Sequence, residues 1–508
     1  MFVSIIFALL KPITIATAQI DNTSQIPNRP IQAKIFNLGD YQKNEFVFAV
    51  TYSCEQPITL ADKLCNEGLM LLRAGKAQFA LGKFEAALKL YQNIGDKAGE
   101  GLCLIYIGAS KERLGDYTAA LDAYENSLPI VREIGDRNGV ALALNNIGNL
   151  YRRMGEFDQA LNCLQQALTL YGSLDDHIGE INTLNNIAWV YHDEKQYENA
   201  LATLQQALTR SQEFDYISQE IFTLNNVGWL YIDWGKYDQS LLYFNQALTI
   251  IEIVHDQKAK ITTLKNIALA YDKLNQYQTA LDYYSEALLL LKQTPDLNTE
   301  GEILAAIGKD HSRLGDYEKA QISLQQSLDI AQETNNAEGK ANVFFAIGEL
   351  YYDRAQYQKS LDYLEQSLEI VRSMKNREDE GFVLINIGMV YNTWGKFELA
   401  MQNYDQALYI YQTTNNLEGQ SEAFNSIGIA YSDTQQYEKA LQNFQESLRI
   451  SRDTHNRNRE QSTLNNIGTV YLDLGLYNQA LDFLQRAYVI AQDLGDDEGD
   501  KLLLRTYP

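Results

Sequence analysis

The side chains able to carry catalysis or to hold a metal ion are few and scattered along the chain. The four cysteines lack CxxC spacing and have no partnered histidine, which a zinc site would require. No glycine-rich phosphate loop, nucleophile elbow or HExxH motif occurs. The five histidines stand far apart, at His177, His192, His255, His311 and His455. The sequence therefore predicts no enzymatic activity, no catalytic residue, no metal ion and no cofactor.

Asparagines, which can form hydrogen bonds through their amides, recur along the chain at intervals of 40 residues. Asparagine is a mediocre helix former, so its recurrence within stretches of helical periodicity needs a reason. One reason is that its amide offers donors and an acceptor together, which suits the alternating C=O and N–H groups of an extended peptide. Hydrogen bonds to an adjacent unit, or simple copying by duplication, are the alternatives.

Aromatic and charged side chains accompany these asparagines. Trp189 and Trp229 are also 40 residues apart, and aromatic anchors dominate the energetics of interfaces. Arg113, Arg152 and Arg153 form a basic group upstream of the tryptophans. Aspartates follow downstream, at Asp193, Asp233, Asp272, Asp353, Asp433 and Asp473. We expect an extended segment to bind here, with acidic residues toward Arg152 and an apolar residue on the tryptophans.

These residues recur because most of the chain is a repeat. A unit of 40 residues, counted from residue 61, fits eleven times without a gap and ends at residue 500. Position 8 of the unit is always Gly or Ala, position 20 is always Ala or Ser, and position 17 is aromatic in ten units. Self-similarity of this kind indicates an array of equivalent supersecondary units.

Each unit contains two stretches in which apolar residues recur at helical spacing. Gly155, between the two stretches of unit three, allows the positive φ that a tight helix-to-helix turn needs. Gly148 and Ala160 are small, so the two helices can cross closely, and we expect the aromatic side chain of position 17 or 11 to fill the remaining space. One helix pair cannot bury its apolar face alone and must stack on its neighbours. The sequence therefore predicts an all-α solenoid.

The segment NNIGNLYRRMGEFDQALNCLQQAL (residues 145–168) resembles a tetratricopeptide repeat, and so do residues 465–487. The unit is longer than the family's usual length of about 34 residues. It is similar to the 40-residue repeats of kinesin light chains and bacterial scaffolds, and to the repeat halves of proteins that carry a caspase-like protease domain. Unit one is degenerate, with Glu67 in place of the usual Ile or Val and Ala77 in place of the aromatic. The resemblance implies a right-handed superhelix of stacked antiparallel helix pairs.

In tetratricopeptide superhelices the first helix of each unit lines a concave groove. The resemblance therefore implies that a peptide-binding groove is lined by Asn145, Asn146, Asn149, Arg152, Arg153, Asn185, Asn186, Trp189, Asn225, Asn226, Trp229 and Asn266.

Charge narrows the class of partner. Asp and Glu number 66 against 42 Lys and Arg, so the net charge is −24, which excludes a generic nucleic-acid or anionic-membrane binder. No apolar run is long enough to span a membrane. We expect a protein–protein interaction scaffold whose partner is a protein or peptide. The alternatives are the sensor half of a caspase-like protease system, with its catalytic domain missing or on another chain, and a receptor for signalling peptides.

The two ends carry separate expectations. Residues 1–18 contain an apolar run and a small-residue site, which predicts a signal peptide and export to the periplasm or outside the cell. A cytoplasmic protein with an unstructured N-terminus or a misplaced start codon is the alternative. Residues 19–60 are expected to form a leader or tether. Residues 501–508 resemble the opening of a truncated capping helix, left by a lost domain or used for docking onto a partner or a second copy.

Overall fold

The computed structural model describes residues 59–494, which form 22 α-helices and no β-strand. The helices are α1 Leu60–Arg73, α2 Ala77–Ile94, α3 Lys97–Arg113, α4 Tyr117–Glu133, α5 Arg137–Arg153, α6 Phe157–Ser173, α7 His177–Asp193, α8 Tyr197–Glu213, α9 Ile217–Asp233, α10 Tyr237–Val254, α11 Gln257–Lys273, α12 Tyr277–Leu291, α13 Leu297–Arg313, α14 Tyr317–Glu333, α15 Ala337–Asp353, α16 Tyr357–Ser373, α17 Arg377–Thr393, α18 Phe397–Thr413, α19 Leu417–Asp433, α20 Tyr437–Asp453, α21 Arg457–Asp473 and α22 Tyr477–Leu494. Odd-numbered helices are the first helices of their units and even-numbered helices are the second. Each helix packs on the next along the chain, so the predicted all-α solenoid of stacked helix pairs is confirmed.

Local sequence explains where the helices begin and end. Most first helices start at an Asp or Asn that caps the free N–H groups of the first turn; Asp136, for example, accepts from the Gly139 amide at 2.9 Å. Gly155 has φ of 79°, as its place between two helices predicts. Lys195 and Asn275 take the same left-handed conformation in units four and six, with φ of 61° and 58°. That conformation costs a non-glycine residue about 1 kcal/mol, which the packing on both sides must offset.

The side chain that fills the space where the two helices of a unit cross differs from the one that the sequence predicts. A Cβ added at Gly148 would lie 2.6 Å from Leu164 Cγ and 3.1 Å from the Ala160 carbonyl oxygen. The side chain at position 24 of the unit therefore fills the space opposite the glycine, not the aromatic at position 17 or 11. Tyr124 and Phe244 fill it in units two and five, and both are fully buried. Position 24 lies one helical turn beyond the small residue at position 20, so its side chain is the one that faces the glycine.

Several expectations for the ends of the chain fall outside the described residues. These are the signal peptide over residues 1–18, nearly all of the leader over residues 19–60, and the stub over residues 501–508. Within residues 59–494, no helix combines the length and the apolar character that crossing a bilayer requires.

Candidate functional site

The first helices of successive units lie side by side on the inner side of the solenoid. Helix α7 contacts both α5 and α9, although a second helix intervenes in sequence each time. Positions 5, 6, 9 and 12 of the first helices carry the side chains singled out from the sequence. Units three to five, whose first helices are α5, α7 and α9, hold most of them.

The recurrent asparagines form a hydrogen-bonded ladder between units. The amide Nδ2 at position 6 of one unit donates to the amide Oδ1 at position 5 of the unit before it. The bonds are Asn186 to Asn145 at 3.1 Å, Asn226 to Asn185 at 2.7 Å and Asn266 to Asn225 at 3.2 Å. All six side chains are buried. We call these six residues the asparagine ladder, and their bonds to the adjacent unit account for the recurrence without a ligand.

Threonines complete the ladder, and the sequence reasoning missed them. Thr183 and Thr263 donate to Asn145 Oδ1 and Asn225 Oδ1, at 3.1 and 3.2 Å. Between them, Asn185 Nδ2 donates to Thr223 Oγ1 at 3.1 Å. The signal that could have revealed this role is the spacing, since the three threonines share position 3 of consecutive units. Position 3 of one unit therefore lies beside position 5 of the unit before it.

The ladder ends at unit three, because unit two has Ile105 where an asparagine would accept the next bond. Asn146, at position 6 of unit three, is only 4% exposed, and its Nδ2 has no acceptor among the described residues. Trp189 on the neighbouring helix α7 is 6% exposed, and its indole Nε1 also lacks one there. A buried donor without an acceptor costs about 1–3 kcal/mol. Asn145 Nδ2 on α5 also lacks an acceptor there, so three such donors on two adjacent inner helices mark a place where an acceptor is needed.

Basic side chains stand at the C-terminal end of α5, beside these donors. The Arg152 guanidinium donates to Asn149 Oδ1 at 3.1 Å and to Asp193 Oδ2 at 2.6 Å. Arg153 lies 3.7 Å from a carboxylate oxygen of Glu112. Burial raises the pKa of Glu112 to about 7, although the Tyr124 hydroxyl donates to it. Near neutral pH this carboxyl carries only part of its charge, while Asp193 beside Arg152 and Glu338, which acts electrostatically on Arg153, offset the charge of the two arginines.

A histidine links units four and five at the same place, and its partner Asp193 also accepts from Arg152 of unit three. His192 bonds Asp193 Oδ1 through Nδ1 and Asp233 Oδ2 through Nε2, each at 2.9 Å. Trp189 packs edge-on against its ring, with the centroids 4.8 Å apart. Desolvation opposes the imidazolium charge, but the hydrogen bonds to Asp193 and Asp233 outweigh it and raise the pKa of His192. In the sequence, His192 is one of five scattered histidines, because its bond to Asp233 forms only when the units stack.

The aspartates expected to make the groove acidic are mostly engaged within the solenoid. Asp272, Asp353 and Asp433 bond Arg313, Ser312 and Asn392 of adjacent units. Trp229 is half-buried against an apolar cluster that includes Phe244 and Ile267. Of the twelve predicted groove residues, the structure thus gathers one set on α5 and α7: Asn146, Asn149, Arg152, Arg153 and Trp189. It places the other asparagines in the ladder.

Comparison with known proteins gives a family and a fold. A family model described as tetratricopeptide repeat matches ten overlapping stretches that together run from residue 59 to residue 493. No curated protein matches the chain. Among solved structures, a Rap protein complexed with competence and sporulation factor is 16% identical, with a TM-score of 0.49, over 71% of this chain and 99% of that one. Aspartyl phosphate phosphatase F from Bacillus subtilis is 16% identical, with a TM-score of 0.46, over 71% of this chain and 96% of that one.

Proposed function

The chain belongs to the tetratricopeptide repeat family, and on that premise we propose that it is a non-enzymatic scaffold that binds an extended peptide segment of a partner protein across α5 and α7. One observation carries the proposal. Asn146 Nδ2 and Trp189 Nε1 are both buried donors that no described residue satisfies. Both donor atoms are buried in the unbound chain, so a carbonyl or carboxylate oxygen of a bound segment would reach them once the two side chains turn toward it, and it would then remove the cost of leaving them unpaired.

Arginine donors near this site suit an acidic side chain on the ligand. The whole molecule carries −24 and repels anions at long range, but at physiological salt that repulsion is screened beyond about 8 Å. At shorter range the Arg152 and Arg153 guanidinium groups supply N–H donors that a ligand carboxylate could take in competition with Asp193 and Glu112. The half-buried Trp229, on the next first helix, would receive an apolar residue of the same segment, because Trp189 is only 6% exposed. The ligand class is therefore an extended segment with an acidic residue close to an apolar one.

The other functions that the sequence allowed stay predictions. A receptor for signalling peptides would use the same surface and differs only in the length of its ligand. The sensor half of a caspase-like protease system would need a catalytic domain elsewhere. Export through residues 1–18 and self-association through residues 501–508 also stay predictions, because both segments lie outside the described residues.

The decisive variant is Asn146→Asp. It keeps the shape of the side chain but replaces the donor Nδ2 with an oxygen that repels an acceptor. The variant breaks no hydrogen bond among the described residues, but it places a carboxylate at a position that is only 4% exposed, so thermal melting of the variant must match that of wild type before binding is compared. Affinity capture from the native lysate with wild type and variant should show one partner lost from the variant. Isothermal calorimetry with a peptide from that partner should then show at least tenfold weaker binding.

The matched control is Asn466→Asp, at the same position of unit eleven. Asn466 Nδ2 donates to Asn425 Oδ1 at 3.0 Å, so this change disturbs a ladder bond far from the proposed site. The control should keep the partner. Identical partner lists from wild type and Asn146→Asp would place the interaction elsewhere on the molecule and end the proposal.

A further inference from the structure

Two cysteines face each other where unit two stacks on unit one. Cys65 stands at position 5 of α1, and Cys103 stands 38 residues later at position 3 of α3. In units three and four the side chains at these two positions meet, since the Thr183 hydroxyl donates to Asn145 Oδ1 at 3.1 Å. Helix α3 packs against α1 as α7 packs against α5. The register of the repeat therefore brings the two thiols together.

Duplication does not explain this coincidence. Neither position carries a cysteine in any other unit, and the whole chain has only four cysteines. The next pair along the solenoid, Ile105 and Ala143, is apolar, and the following pair is Asn145 and Thr183. A single buried cysteine commonly serves as a small apolar side chain, but two cysteines opposite each other on adjacent units are a pair that can react.

The two sulfur atoms are in contact and are enclosed by the core. Cys65 and Cys103 are 6% and 0% exposed, belong to one apolar cluster and are free thiols in this structure. A hydrogen bond with Cys65 is the largest cause that raises the pKa of the Cys103 thiol, ahead of desolvation. Buried Tyr91 interacts electrostatically with both thiols, and its hydroxyl donates to Asp62 Oδ1 at 2.6 Å. Tyr91 therefore helps to close this end of the core over the pair.

Helix α1 has room to make the adjustment that a bond requires. A disulfide draws its two sulfur atoms to about 2.0 Å, so α1 and α3 must approach slightly. Helix α1 is the first of the described helices and packs on α2 and α3, whereas an inner helix such as α7 packs on α5, α6, α8 and α9. A helix at the end of a stack has fewer neighbours to hold it, so it shifts and opens more easily than an inner one.

The surroundings of the thiols determine when they can react. A disulfide forms through a thiolate, and the raised pKa of Cys103 keeps that thiol protonated near neutral pH. Asp62 and Asp96 act on Cys103 in the same direction, because their negative charges disfavour a thiolate nearby. Burial also keeps an oxidant away from both sulfur atoms. The stacked pair is therefore inert, and the thiols react while α1 is detached from α3, as it is during folding.

We propose that Cys65 and Cys103 form a disulfide bond that fixes unit one onto unit two, with a glutathione-type disulfide as the oxidant. The thiolate of one cysteine attacks a sulfur atom of the oxidant and releases one thiolate. The second cysteine thiolate attacks the protein sulfur of this mixed disulfide and releases the other. The oxidant gains two electrons, and the two cysteine protons pass to its two thiolates. This modification site does not rest on the function proposed for α5 and α7.

Refolding of the full chain with glutathione tests the pairing. The denatured, reduced chain is diluted into a buffer that contains reduced and oxidised glutathione, and the remaining thiols are then alkylated. Mass spectrometry of unreduced peptides should find Cys65 joined to Cys103 in most molecules and Cys163 alkylated. Free thiols at Cys65 and Cys103, or the joining of either one to Cys54 or Cys163, would overturn the proposal.

A control variant, Cys54→Ser/Cys163→Ser, keeps only the two proposed partners. It should form the same bond to the same extent as wild type, and its circular dichroism spectrum should match that of wild type. Loss of the bond in this folded variant would mean that Cys54 or Cys163 is required for it and would overturn the direct pairing.

Amide hydrogen exchange measures what the bond does to the solenoid. The bond closes a loop of 38 residues and so restricts the opened state of α1. Opening of α1 should be at least tenfold rarer in the oxidised chain than in the chain reduced with dithiothreitol, while exchange in α17 should change less than twofold. Cys65→Ser/Cys103→Ser should show the same exchange with and without dithiothreitol. Equal exchange of α1 in the oxidised and reduced wild type would overturn the role of the bond in fixing unit one.

The timing of the reaction has its own test. The reduced chain, once folded, should form the bond with oxidised glutathione at least tenfold more slowly than the chain does during refolding at the same pH. Equal rates would show that the stacked pair is accessible and would overturn the inference that it closes while α1 is detached.

Discussion

Units three to five and units eight and nine place different chemistry on the same backbone. In the first region, position 5 is asparagine and is buried in bonds to the next unit; in the second region, Phe345 and Ile385 occupy position 5 and pack by apolar contact. The inner side chains differ accordingly, since Asn146 and Trp189 are buried in the first region while Phe382 and Met389 are exposed in the second. One repeat thus supports two kinds of junction, and the junction type decides which inner positions remain available to a partner.

The strongest test of this difference is a substitution that converts a polar junction between units into an apolar one. Asn185→Leu removes the acceptor of Asn226 Nδ2 and the partner of the Thr223 hydroxyl, and both groups are buried. We expect a loss of about 3 kcal/mol in the local free energy of opening, because each unpaired buried group costs about 1–3 kcal/mol. Amide hydrogen exchange in α7 and α9 measures that loss directly.

Asn386→Leu is the control in the second region. Asn386 Nδ2 donates only to a carbonyl of its own helix, that of Phe382 at 2.9 Å, so its removal should cost less than about 1 kcal/mol. Equal losses for Asn185→Leu and Asn386→Leu would show that the two junctions are held in the same way.

Much of this architecture could be predicted from the sequence, because the 40-residue period determines the helices, their turns and their stacking. Gly155 has the positive φ that its place predicts. The ladder could be predicted only as one alternative, because a bond from Asn186 to Asn145 depends on how two units are offset, which periodicity does not reveal. For the same reason, the sequence did not reveal the hydrogen bond from Thr183 or the bond from His192 to Asp233. The prediction that an aromatic side chain at position 17 or 11 packs against Gly148 was wrong, because Leu164 faces the glycine at the point where the helices cross.

A change in pH should affect the local stability of the two regions differently, and we expect this difference to be smaller than the effect of Asn185→Leu. Hydrogen bonds to Asp193 and Asp233 outweigh desolvation and raise the folded-state pKa of His192 above 6.5. The stabilisation is therefore complete below about pH 6.5 and is lost as the pH rises through the folded-state pKa. Exchange in α7 and α9 should accelerate over that range relative to α17 and α19. Asn392, at the equivalent position of unit nine, has no ionisable side chain.

His192→Gln should remove most of this pH dependence above pH 7. A smaller dependence should persist below pH 7, because burial raises the pKa of Glu112 to about 7 and the folded state therefore loses stability as the pH rises toward that value. An unchanged pH profile in His192→Gln would show that the histidine does not hold units four and five together.

The smallest expected effect comes from Thr183→Val, which gives unit four the residue that Val343 and Val383 provide in the second region. Asn145 Oδ1 accepts from both Thr183 and Asn186, so it keeps one donor when the hydroxyl is lost. We expect the local free energy of opening of α5 and α7, measured by hydrogen exchange, to fall by about 0.5–1 kcal/mol, well below the loss for Asn185→Leu. A cost as large as that of Asn185→Leu would mean that the hydroxyl is as important as the amide. Threonine at position 3, rather than asparagine at position 5, would then be the residue that identifies a polar junction in a sequence of this kind.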